Sequence, residues 1–131
     1  MNIRWLAVIT GFVADTLISN ILVAVAHPDA HFSSAPNLSQ PADLLLITLL
    51  ILSTGVGGYI AGRMAHADRT LNGLLVGVVD ALLLQLDIAT SDQPISRVFV
   101  VATAIGWGAA AAGGFLSRYP PRRRSGSSGQ S

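Results

Sequence analysis

The sequence predicts an all-α fold: four transmembrane helices arranged as two antiparallel hairpins in a parallel repeat. Three observations carry that expectation. Four long apolar runs show no strict period-two alternation, which argues against strands. Only 11% of the 131 residues are charged while 51% are hydrophobic, against roughly 25% charged in an ordinary soluble domain. The arginines gather at one set of run ends. The mean hydropathy of +0.57 agrees.

The runs cover residues 5–26, 44–65, 70–86 and 98–116, close to the ~20 residues that cross a hydrocarbon core ~30 Å thick. A helix satisfies its backbone polar groups internally, as lipid requires. The third run is the shortest and contains Asp80 and Gln85. "HPDAHFSSAPNLSQPAD" separates the first two runs, and its three prolines and Ser/Asn cluster break helices. "DIATSDQPISR" separates the last two. The link "MAHADRT" is short enough to force an antiparallel pair. Residues 1–119 thus form one helical domain, and 120–131, "PPRRRSGSSGQS", read as a disordered basic tail.

Arginine placement predicts orientation. Arg4, Arg63, Arg69, Arg118, Arg122, Arg123 and Arg124 share one side of a four-helix arrangement, with Arg97 on the other. The positive-inside rule puts both termini and the central link in the cytoplasm. Asp29, Asp43, Asp87 and Asp92 mark the opposite side. A competing reading is cleavage after "AVA" at Ala24–Ala26, a small-residue signal-peptidase pattern. The preceding run is longer than a usual signal core and has Asp15 at its centre, which favours retention.

The chain also echoes itself. "GGYIAGR" closes the second run and "GGFLSR" the fourth; "GFVAD" ends at Asp15 and "GVVD" at Asp80. A parallel repeat about the membrane normal accounts for this, and chance similarity among Gly/Ala-rich helices is the alternative.

Small residues recur every fourth position: Thr54, Gly58 and Gly62; Gly73 and Gly77; Gly106, Ala110 and Gly114. Helices in lipid gain no hydrophobic energy by associating, so small residues that admit close backbone contact take over. These positions are the predicted helix-packing residues. Arg63, Arg69 and Arg118 are the predicted interfacial anchors, with Trp5, Tyr59 and Tyr119 at the same level.

"GGYIAGRMAHADRTLNGLLVG" resembles a motif in a family of small bacterial four-helix membrane proteins of unknown function. There, a Gly-Gly-aromatic, Ala-Gly-Arg series precedes a short cytoplasmic link and a His-Gly helix start. This chain has Asn72 at the histidine position. The resemblance implies a four-helix integral membrane protein and no particular activity.

Asp15 and Asp80 are the proton- or ion-handling candidates, since intramembrane acids usually face a bundle interior. Asp15 shares its helical face with Gly11 and Ser19; Asp80 shares one with Gly73, Gly77 and Leu84. Burial and mutual repulsion both disfavour two charges there. The blander alternative is a pair of register-holding hydrogen bonds. "HPDAH" offers His27, Asp29 and His31 as metal-type ligands, but without fixed geometry no metal site is expected. His66 lies beside Arg63 and Arg69, where lipid phosphate is a natural neighbour. The chain lacks cysteine, lysine and glutamate. No nucleophile triad, phosphate loop or metalloprotease motif appears, so neither an enzyme nor a cofactor is expected. A net charge of +1 predicts no nucleic-acid partner. The leading expectation is a structural or accessory protein of the bilayer that packs through Gly/Ala faces, as a homo-oligomer or within a larger complex. The alternative is a small proton-coupled transporter or channel using Asp15 and Asp80.

Overall fold

The computed structural model describes residues 3–26, 39–90 and 97–119. Among them the fold is all-α: α1 Trp5–Ala26, α2 Pro41–Met64, α3 Arg69–Thr90 and α4 Arg97–Leu116. The stretch 27–38 with His27, Asp29 and His31, the segment 91–96 with Asp92, and the tail 120–131 lie outside the described residues.

Local chemistry accounts for the boundaries. α2 starts before its apolar run because Pro41 stands at the first helical turn behind an extended Gln40, where the missing N–H costs no hydrogen bond. Asp43 in the first turn and Arg63 in the last complement the helix dipole. Asp68, at φ 50, turns the chain into α3, a left-handed conformation that Asp tolerates better than most residues. α3 continues past Leu86 to Thr90, beyond the predicted end. Hydropathy falls there while backbone hydrogen bonding continues.

The contacts order the helices. Arg4–Met64, Gly11–Gly57 and Asp15–Ser53 approach as α1 ascends and α2 descends, so the two are antiparallel. Arg69–Ser117, Gly73–Gly114 and Gly77–Trp107 make α3 and α4 antiparallel in the same way. α2 packs on every other helix, and α3 likewise. Among the described residues α1 and α4 do not touch. A strict two-fold repeat would make the α1–α4 contact match the α2–α3 contact, so the packing departs from that symmetry. One echo persists. Arg4, just before α1, donates to the Met64 carbonyl at the end of α2 at 3.3 Å; Arg69, opening α3, donates to the Ser117 carbonyl after α4 at 2.9 Å.

The interior is small and polar. The hydrophobic cluster comprises Val8, Ala61 and Val76, with Ile3, Phe12, Leu75 and Val79 packed around it. The largest fully buried side chains include Asn72, Asp15 and Ser117 beside Val8 and Val76. Large apolar side chains point outward instead. Leu6, Ile9, Val13, Leu17, Ile21 and Val25 form an exposed stripe along α1, reversing the usual preference of such residues for the interior.

Candidate functional site: a buried carboxylate between closely packed helices

Two glycine contacts bring the helices together. A β-carbon on Gly11 would lie 2.5 Å from the Gly57 carbonyl oxygen, and one on Gly57 would lie 2.7 Å from the Gly11 carbonyl oxygen. That mutual approach sets α1 against α2 one turn from Asp15. On the other side of α2, a β-carbon on Gly58 would overlap the Ala110 carbonyl oxygen and sit 2.7 Å from its Cα.

The remaining predicted packing residues divide. Gly62 faces Gly114 and the Ser117 hydroxyl; Gly73 faces Ala110 and Gly114; Gly77 has looser contacts with Ala110 and Trp107. Thr54 is buried in this seam, its hydroxyl bonded to the Leu50 carbonyl at 3.2 Å. Gly106 does not belong to it, because a β-carbon there would meet nothing within 4 Å. The spacing pattern placed it on the stripe, and the residue is buried, but its β-position faces open space while the neighbouring Trp107 makes the contact with Gly77. Gly11, Gly57 and Gly113 do belong, although the every-fourth-residue pattern omitted them. Adjacent glycines at 57 and 58 serve two different helices, which a single stripe cannot represent.

Where α2 gives way to α3, polar contacts close the end of the bundle. Asn72 is fully buried. Its Oδ1 accepts the Arg4 main-chain N–H at 2.9 Å, and its Nδ2 donates to the Asp68 carbonyl at 3.0 Å. Arg4 Nη1 also donates to His66 Nδ1 at 2.8 Å. Of the predicted anchors, Arg69 caps α4, Arg63 is exposed, and Arg118 lies 5.3 Å from the Phe115 ring centroid. Trp5, Tyr59 and Tyr119 are exposed.

The middle of α1 holds the buried acid. Asp15 is 1% exposed. The Ser53 hydroxyl donates to Asp15 Oδ1 at 2.5 Å and lies 3.1 Å from the Asp15 carbonyl oxygen. Ser19, one turn along α1, bonds the same Oδ1 at 3.2 Å and is 3.1 Å from the Ser53 hydroxyl. Asp15 Oδ2 is buried with no hydrogen-bond partner. Asp80 on α3 is half-buried and within electrostatic reach of Asp15. The residue that touches the Asp15 carboxylate from α2 is Ser53, which the sequence did not single out. Ser53 breaks an apolar run, but with a long connection between α1 and α2 nothing in the sequence sets their register. Among the described residues no cluster of three or more His, Cys, Asp or Glu side chains is placed to hold a metal.

The profile of a family described as "Protein of unknown function (DUF3792)" matches residues 4–117. The chain belongs to that family. The match runs from the arginine that caps α2 to the serine that receives Arg69, so family membership spans the whole bundle. No curated protein and no solved structure matches the chain.

Proposed function

We propose that this member of the family is a small multi-pass integral membrane protein, a non-enzymatic structural or accessory component of the bacterial inner membrane. Both termini and the central link face the cytoplasm, and two antiparallel hairpins cross the bilayer. The observation that carries this reading is the exposed stripe on α1. From Leu6 to Val25 its side chains are 47–78% exposed, and at 1.5 Å per residue it spans about 28 Å, close to the hydrocarbon thickness.

Further support comes from how little of the apolar surface the fold covers. Trp5–Val25 and Pro41–Met64 are long and apolar enough to cross a bilayer, yet only 17% and 28% of those windows are buried. A core helix of a soluble domain would be covered. Exposed apolar patches of this extent mark association with a partner or a membrane. Polar side chains along these helices turn back on their own backbones: Thr10 to Leu6, Thr48 to Leu44 and Asn20 to Thr16, each at 2.7–2.8 Å. That is the arrangement lipid demands of a polar group.

The Gly58–Ala110 seam closes the chain on itself, so association with a second copy uses another face. Ala104, Gly108 and Ala112 lie exposed on α4 at fourth-residue spacing, and a β-carbon on Gly108 would meet nothing within 4 Å. Alkaline extraction of membranes containing the expressed chain tests the reading. Retention in the pellet and release only by detergent is the expected result; release by alkali alone refutes it.

A second reading, proton-coupled transport, is favoured by one observation: the unpartnered Oδ2 of Asp15. Its test is proton flux in reconstituted vesicles, lost in Asp15→Asn and Asp80→Asn while expression persists.

A further inference from the structure

We infer that Asp15, held between Ser19 and Ser53 with its Oδ2 buried and unpaired, forms a site that binds and releases a single proton. The transport reading would need such a site, but the inference also stands without flux, because equilibrium binding requires no passage across a bilayer.

The atoms around Asp15 argue for it. The hydrogen-bond partners of its carboxylate are both hydroxyls, those of Ser53 and Ser19, and the Ser53 hydroxyl also lies 3.1 Å from the Asp15 main-chain carbonyl oxygen. Two hydroxyls supply at most two hydrogens, and both converge on Oδ1. Oδ2 is left buried and unpaired, which is costly for a charged oxygen. Among the described residues no guanidinium is hydrogen-bonded to Oδ2. The nearest arginine along α1 is Arg4, about 16 Å away at 1.5 Å per residue, and it is engaged with Met64 and His66. The nearby ionisable side chain is another acid, Asp80.

An anionic oxygen with no donor, beside a second acid, is completed by a cation. A proton is the cation this site fits. Both hydroxyls are already spent on Oδ1, and the one unmet need, at the buried Oδ2, is a single hydrogen, which a proton supplies. Protonation forms an O–H bond at Oδ2 and removes one negative charge; deprotonation breaks that bond and returns the proton to water. Asp80, half-buried where Asp15 is fully buried, is the more accessible of the two acids, and its charge governs how readily Asp15 releases its proton. Ser53 positions the carboxyl by holding Oδ1, leaving Oδ2 for the proton.

Infrared difference spectroscopy on the full chain in lipid nanodiscs, between acid and alkaline pH, reads this directly. The carbonyl stretch of a protonated carboxylic acid should appear on acidification and vanish on alkalinisation. That band should be absent in Asp15→Asn, and the pH at which it vanishes should shift in Asp80→Asn. If Asp15→Asn fails to fold, the Asp80→Asn shift, together with a change in band frequency in Ser53→Ala, carries the assignment. A band unchanged in all three variants overturns the inference. So does a band abolished by sodium at constant pH, which would make the ligand a metal cation. A negative flux assay with the band present refutes transport and leaves the proton site standing.

Discussion

Gly58 and Ala110 meet backbone to backbone: a β-carbon on the glycine would overlap the alanine's carbonyl oxygen and lie 2.7 Å from its Cα. Nothing at that contact is a flexible side chain that can step aside. Gly58→Ala should therefore force α2 from α4, and overpacking of this kind costs about 1–3 kcal/mol. Gly58→Leu should abolish the folded bundle. Thermal unfolding in detergent measures both, with Gly106→Ala as the control expected to cost nothing. Equal effects at 58 and 106 would remove the seam from the explanation of the fold.

The open face of α4 predicts a different phenotype. Gly108→Leu adds bulk where the fold leaves space, so the monomer should fold with near-normal stability. If copies associate through this face, their crosslinking in membranes should fall in Gly108→Leu. Loss of monomer stability instead would place the face inside the bundle.

Asn72 holds the entry to α1 against the entry to α3 through the Arg4 main-chain N–H. Asn72→Leu leaves that donor without its acceptor in a buried position, for which about 1–3 kcal/mol is the usual penalty. Hydrogen exchange should locate the loss at the starts of α1 and α3. Uniform loosening of all four helices would count against this local role.

The Asp15–Ser53 bond can be weighed by a double-mutant cycle. Hydrogen bonds between helices in a bilayer average about 0.6 kcal/mol and reach about 1.7. A buried acid with its shortest contact to Ser53, at 2.5 Å, belongs at the upper end. Asp15→Ala and Ser53→Ala, singly and combined, should reveal a coupling of about 1–2 kcal/mol. Additive effects would show that the two side chains act separately.

Orientation is open to labelling because the chain has no cysteine of its own. Ala67→Cys, in the exposed link between α2 and α3, should react with an impermeant maleimide only after cells are opened. Ser39→Cys, before α2, should react in intact cells. The reverse pattern would invert the proposed topology.

Composition and hydropathy by themselves determined that this chain is helical, how many helices it has among the described residues, and roughly where they lie. They did so because apolar runs of this length without period-two alternation fit a helix and not a strand. They also nominated Asp15 and Asp80, since an acid in such a run is conspicuous wherever the helix packs. Which residues meet was decided only by the tertiary structure. Ser53 under Asp15, Asn72 beneath Arg4, Gly57 against Gly11 and the absence of Gly106 from the seam all depend on rotation and register between helices. Those are set by the closest backbone approach the glycines allow, a property of pairs of helices in space that no single stretch of sequence encodes.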